Sequence, residues 1–86
     1  MLAASNYPAP LSLASLPDGE KARIVAIKAG PGSTDRLASL GLVPGISLKK
    51  LSSSPRRGPI VVERGGGSFA LAWDLADSIL LAPLAS

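Results

Sequence analysis

Apolar and polar residues alternate in several short runs of the chain, which is the pattern of β-strands that bury one face. The clearest run, KARIVAIK at residues 21–28, has β-branched residues at its centre. Similar runs occupy residues 46–49, 60–64, 68–73 and 79–82, and turn residues separate them. The pattern therefore predicts about five short strands.

One stretch between the first two strands has helical spacing instead. Leu37 and Leu40 are three residues apart, so they share one face of a helix that we expect over about residues 34–41. Ser33 or Thr34 is suited to cap the first turn of this helix, because a hydroxyl oxygen accepts from a free backbone N–H.

The end of this helix is also marked in the sequence. Gly41 fits the left-handed position that follows many helices, and Pro44-Gly45 predicts a tight turn into the next strand. A single helical turn is predicted over about residues 74–78, with Asp74 as its cap.

Short strands that are separated by turns, and not by long helices, exclude a parallel α/β sheet. They favour a mainly β fold, a small antiparallel barrel whose open end is covered by the short helix. We expect one domain over residues 11–83, a flexible tail over residues 1–10 and a short tail over residues 84–86. The expected core contains Leu37, Leu40, Ile46, Leu48, Val62, Leu71 and Ile79.

Composition limits the chemistry of this chain. Its 86 residues include neither cysteine nor histidine, so disulfides, the commonest general base and the commonest transition-metal ligand are all missing. We therefore expect no enzyme and no cofactor. Carboxylates alone bind ferrous iron weakly, and Asp74 and Asp77 are the nearest useful pair for a divalent metal. The alternative is that this pair only caps the helical turn.

The charge pattern indicates a surface that is only weakly basic. Nine lysines and arginines against six acidic residues give a net charge of +3, and the basic residues are spread along the chain. No apolar run approaches the ~20 residues that span a bilayer. The first ten residues lack the basic start of a signal peptide, so we expect a cytoplasmic protein.

Three segments in order carry a family resemblance: RLASLGLVPGISLKKL, SPRRGPIVV and FALAWDLADSILL. Together they resemble the FeoA family, the small ferrous iron transport protein A, over roughly residues 11–82. The positions that match the family pattern are Arg36, Leu37, Leu40, Gly41, Leu42, Pro44, Gly45, Pro55, Gly58, Pro59, Ala70, Leu71, Ala76 and Ile79.

The resemblance implies an SH3-like β-barrel (Src-homology-3-like) and an accessory or regulatory role in bacterial ferrous iron uptake. It also implies a partner, the FeoB-type membrane iron transporter with its cytoplasmic G domain, so that the membrane is reached only indirectly. For the contact with that partner we select Leu42, Val43, Arg56 and Arg57. A homodimer is also possible.

Other functions are open at this stage. A small basic barrel could bind nucleic acid, although only Tyr7, Phe69 and Trp73 are aromatic, few for stacking bases or for a proline-rich peptide groove. A metal-responsive oligomerisation module is the second rival. The glycine-rich segment 29–34 lacks the lysine of a nucleotide-binding loop, and Arg56 or Arg57 could act as an arginine finger on a partner G domain.

Overall fold

Residues 10–84 are described by the computed structural model. Their elements, in chain order, are strand β1 (Leu11–Ser12), a 3₁₀ helix (Leu13–Ser15), β2 (Lys21–Ile27), helix α1 (Pro31–Ser39), β3 (Ser47–Ser53), β4 (Ile60–Arg64), β5 (Gly67–Leu71), helix α2 (Trp73–Asp77) and β6 (Ile79–Pro83).

The strands form one antiparallel sheet in the order β1-β6-β2-β3-β4-β5. This confirms the predicted mainly β, antiparallel class. The described residues contain six strands where the sequence predicts about five, because the two-residue strand β1 pairs Leu11 with Leu81. A run of two residues is too short to show alternation. Strands β1 and β5 are the two edges of the sheet.

Two β-bulges interrupt the regular pairing. Val25 is the extra residue between Ile24 and Ala26 where β2 pairs with β6, and Leu51 is the extra residue where β3 pairs with β4. Both side chains are exposed, Val25 by 46% and Leu51 by 38%. A bulge changes the direction of side chains, so these apolar residues point to solvent without shifting the core positions beside them.

Helix α1 begins three residues before the predicted start. Gly30 is the N-cap residue and Pro31 begins the helix, where its fixed φ and missing N–H are both tolerated. The predicted caps Ser33 and Thr34 are therefore wrong, since both lie within the helix. The Thr34 hydroxyl donates instead to the Ala29 carbonyl over 3.3 Å.

The end of α1 is a Schellman motif. Gly41 has a φ of +80°, which confirms the predicted left-handed position. Its N–H donates to the Ala38 carbonyl, and the Leu42 N–H donates to the Leu37 carbonyl, each over 2.9 Å. In this motif the residue after the glycine usually packs against the last helical turn. Leu42 and Leu37 are both fully buried.

The turn after this motif is also as predicted. Gly45 has a φ of +97°, and the Ile46 N–H donates to the Val43 carbonyl over 3.2 Å. These features place Pro44 and Gly45 at the centre of a type II turn. The Gly45 N–H then bonds to the Ile24 carbonyl, so the chain joins the sheet at once.

Helix α2 begins at Trp73, and its N-cap residue is Ala72. The predicted cap, Asp74, is therefore wrong, because it lies inside the first turn. There its negative charge is favourable near the positive end of the helix dipole.

A single core joins the sheet to all three helical elements. Leu37, Leu48, Val62, Leu71 and Ile79 are buried as predicted, whereas Leu40 and Ile46 are only partly buried. Eight further apolar residues are buried beside those of the expected core: Leu13, Leu16, Ala22, Ile24, Leu42, Ile60, Ala76 and Leu81.

The predicted tails lie mostly outside the described residues. Pro10 is exposed, and residues 1–9 and 85–86 are not described. Leu84, which the sequence places in the C-terminal tail, is half-buried. Within residues 10–84, no helix is both long and apolar enough to span a membrane.

Candidate interaction surface

The β3–β4 hairpin presents two arginines at its tip. The Gly58 N–H donates to the Pro55 carbonyl over 3.1 Å and closes a turn with Arg56 and Arg57 at its centre. Both arginines are exposed, and both have a positive φ, 58° and 57° respectively. This region is uncommon for bulky side chains. We call residues 55–58 the arginine turn.

One of these arginines is held against α2. The Arg57 guanidinium carbon lies 4.5 Å from the centre of the Trp73 ring, within the range of a cation–π interaction. Trp73 is half-buried and packs against the core. The arginine turn is thereby in contact with α2, although the two are separated by strands β4 and β5 in the sequence.

Leu42 is not part of any surface. It is fully buried beside Leu37, so our selection of Leu42 as a contact residue is wrong. The reason is the Schellman motif, whose geometry turns this side chain into the core. Its neighbour Val43 is 36% exposed and remains available for contact.

A groove of about 750 Å³ separates α1 from β5 and α2. Its walls include Lys28, Arg36 and Leu40 on one side and Ala70, Ala72, Asp74 and Leu75 on the other. Lys28 and Arg36 are exposed and positively charged, whereas Leu40 and Leu75 are half-buried and apolar. The groove therefore combines an apolar floor with a basic wall.

One wall of this groove is a free sheet edge. Gly65 and Gly66 form a two-residue hairpin loop, and in such a loop the two flanking residues, Arg64 and Gly67, form a hydrogen-bonded pair. Hydrogen-bonded and non-hydrogen-bonded pairs alternate along an antiparallel ladder, so every second residue of β5, starting at Gly67, bonds to β4. Ser68 and Ala70 are the residues between, and their main-chain groups point away from β4. Within the described residues, β5 pairs with β4 alone.

The comparisons with known proteins decide the family. The model of the FeoA domain matches residues 11–83, nearly the whole of the described chain. The chain belongs to the FeoA family.

Two FeoA relatives of similar length support this assignment, and both bear the name "Putative Fe(2+) transport protein A". The one from Campylobacter jejuni is 36% identical over 69 residues, which cover 80% of this chain and 93% of the relative. The one from Methanocaldococcus jannaschii is 32% identical over 72 residues, which cover 84% and 83% respectively.

A solved FeoA structure has the same fold. It is the crystal structure of an iron uptake regulatory protein (FeoA), with a TM-score of 0.76 and 32% identity. The match covers 86% of this chain and 96% of that chain. The fold of this FeoA protein is therefore the SH3-like barrel that the sequence resemblance implies.

The carboxylates of this FeoA protein are dispersed. Asp74 and Asp77 are exposed on α2, one helical turn apart. Among residues 10–84, no group of three or more acidic side chains could hold a metal ion. Weak divalent-metal binding by Asp74 and Asp77 therefore stays a prediction.

One buried polar residue, Lys50, is not among the predicted site residues and is only 2% exposed. Its ammonium group donates to the carbonyls of Ala14 and Leu16, over 3.1 and 2.7 Å, and lies 3.8 Å from an Asp18 carboxylate oxygen. Burial lowers the pKa of Lys50, and Asp18 partly opposes this shift. The sequence does indicate this burial, because Lys50 lies two residues after the core residue Leu48 in the same strand, and side chains two residues apart share one face of a sheet.

Proposed function

We propose that this FeoA-family chain is a non-enzymatic accessory protein of bacterial ferrous iron uptake, located in the cytoplasm. It acts by docking on the cytoplasmic part of a FeoB-type membrane transporter. Family membership and two relatives named as Fe(2+) transport proteins support the role in iron transport. The docking step is supported by the groove between α1 and β5.

The groove is suited to an extended segment of the transporter's cytoplasmic part. Such a segment adds to the free edge of β5 and bonds to the main-chain groups of Ser68 and Ala70. Its apolar side chains rest on Leu40. Its acidic side chains face Lys28 and Arg36, which line the same groove.

Calorimetric titration of the purified chain with the cytoplasmic domain of its cognate transporter tests this proposal. We expect saturable binding, measured without nucleotide, with GDP and with a non-hydrolysable GTP analogue. The absence of heat in all three states at two well-separated temperatures would refute docking on this domain, because burial of apolar surface makes the binding enthalpy change with temperature. Saturable binding to an oligonucleotide in its place would favour the nucleic-acid rival.

A matched pair of substitutions locates the contact on the groove. Ala70→Trp fills the groove from an exposed position, and we expect it to weaken binding at least tenfold. Ser47→Trp is the control, since Ser47 is also exposed but lies on β3 and does not line the groove. Equal affinities of the two variants would place the contact elsewhere.

A further inference from the structure

Two hairpin turns of the same backbone type occur in this sheet, and they have very different sequences. The turn between β4 and β5 places Gly65 and Gly66 at φ values of 61° and 84°. The turn between β3 and β4 places Arg56 and Arg57 at 58° and 57°. Both central residues have a positive φ in each case, as in a type I′ turn.

The glycine turn adopts this backbone without strain, whereas the arginine turn does not. A side chain larger than hydrogen crowds the backbone when φ is positive, which is why glycine and asparagine dominate such turns. Backbone strain of this kind is characteristic of functional sites. The hairpin alone does not require arginine at either position, so the reason for these residues lies in their side chains.

Neither arginine has a polar side-chain partner among the residues that the structure describes. Among residues 10–84, no carboxylate lies within 4 Å of either guanidinium, since the one ion pair joins Lys50 to Asp18. No side-chain hydrogen bond of either arginine is found within the same residues. The Arg57 guanidinium carbon lies over the Trp73 ring, and this contact does not pair the five N–H donors of the guanidinium with a polar acceptor.

We infer that the arginine turn is a binding site for two carboxylates of an acidic segment in a protein partner. The guanidinium of arginine forms paired hydrogen bonds with a carboxylate, and the contact of Arg57 with Trp73 restricts where its guanidinium lies. The identity of the partner rests on the function proposed above, which makes it the transporter's cytoplasmic part. The site itself does not depend on that function.

The number of charges favours an acidic protein segment over a polyanion. Recognition of an anionic membrane typically uses a cluster of about four to eight basic residues. Non-specific binding of nucleic acid uses a positive groove that follows the backbone. Here two adjacent arginines stand at a hairpin tip, and the other basic residues are spread along the chain.

The variant R56N/R57G separates binding from stability. Asparagine-glycine is the favoured sequence for this turn, so we expect a melting temperature equal to or above that of the wild type. We also expect at least tenfold weaker binding to the transporter's cytoplasmic domain and a smaller dependence of affinity on salt. A clear fall in melting temperature would overturn the inference, because the arginines would then serve the fold.

Two control variants test whether binding depends on net charge alone or on the planar guanidinium of arginine. K21Q/R23Q removes the same charge from exposed positions on β2, and we expect near wild-type affinity. R56K/R57K keeps the charge but loses the planar fork, and we expect an intermediate affinity. If K21Q/R23Q weakens binding as much as R56N/R57G does, net charge explains the effect and the site is refuted.

A probe without the transporter distinguishes failure of this site from failure of the proposed function. We would titrate the chain with a hexaglutamate peptide and follow the arginine Nε–H and Trp73 indole signals by NMR. Changes confined to the arginine turn and Trp73, and lost in R56N/R57G, are expected whether or not the transporter domain binds. No change in the wild type, or stronger binding to anionic vesicles or an oligonucleotide, would overturn the inference.

Discussion

At the scale of single residues, Lys50 shows how a charged side chain becomes part of the core. Its ammonium group is shielded from solvent and holds two carbonyls of the segment that follows β1. Asp18, which is 52% exposed, lies at the outer end of this arrangement and also accepts a hydrogen bond from Ser53. Lys50 therefore links β3 to the 3₁₀ helix.

Replacing Lys50 tests this link. Lys50→Met keeps most of the side-chain volume but leaves the carbonyls of Ala14 and Leu16 without this donor. We expect the free energy of unfolding at neutral pH to fall by about 1–3 kcal/mol. Denaturant unfolding followed by circular dichroism measures the change. The matched variant Lys49→Met removes a charge from the adjacent position, which is not fully buried, and should change stability much less.

The lowered pKa of Lys50 predicts a dependence of stability on pH. Between its folded pKa and its usual value of 10.5, the unfolded chain binds more protons than the folded chain. The free energy of unfolding therefore rises with pH in this window, and Lys50 has no such effect below its folded pKa. The difference between wild type and Lys50→Met isolates this contribution. If the difference in free energy of unfolding between the two proteins does not change at alkaline pH, the lowered pKa of Lys50 is contradicted.

Gly41 is a second position where one residue decides the local structure. Its φ of +80° disfavours a side chain, and an added Cβ would lie 2.9 Å from the Arg64 guanidinium. We expect Gly41→Ala to lower the free energy of unfolding by about 1–2 kcal/mol from backbone strain, with a small extra loss from displacing the flexible end of Arg64. Chemical denaturation measures this loss.

Gly45 is the matched control for Gly41. Its φ is +97°, but an added Cβ meets no atom within 4 Å, so Gly45→Ala introduces the strain alone. Truncating Arg64 to alanine should bring the loss for Gly41→Ala down to that for Gly45→Ala. If the two glycine variants are equal in the presence of Arg64, the close approach has no energetic effect.

At the scale of elements, the C-terminal end of α1 explains why the helix is short and why a strand follows so soon. The Schellman motif reverses the chain at Gly41 and directs Leu42 into the core. The Pro44-Gly45 turn then leads directly into β3, which pairs with β2. The helix therefore covers part of the core and contributes a wall to the groove.

This role of Leu42 gives a prediction at the scale of the element. Leu42→Ala should lower the free energy of unfolding by about 2–5 kcal/mol, because it empties a fully buried position. Leu40→Ala should have a smaller effect, since Leu40 is only partly buried. Both values come from denaturant unfolding curves. A larger loss for Leu40→Ala would contradict the burial of Leu42 in the core.

At the scale of the whole molecule, one core connects the sheet with α1, α2 and the 3₁₀ helix. No element has a separate core within the described residues, so the domain should unfold as one cooperative unit. Trp73 is the only tryptophan of the chain and reports on α2. Its fluorescence and the far-ultraviolet circular dichroism should give the same unfolding midpoint. An earlier fluorescence transition would show that α2 detaches first.

Sequence alone determined the antiparallel mainly β class, the strand positions within a few residues, and the glycines at the turns. These features depend on local chemistry, namely alternation along a strand and the tolerance of glycine for positive φ. The Gly41 and Pro44-Gly45 positions are clear cases, because each turn is encoded by the residues that form it.

Only the tertiary structure decided which surfaces remain free. Leu42 and Val43 are neighbours of similar hydrophobicity, yet the backbone path buries the first and exposes the second. Trp73 contacts Arg57 although the two residues are 16 positions apart in the sequence. The groove likewise joins α1 to β5. Such contacts depend on how distant elements pack, and that information is not contained in any local pattern.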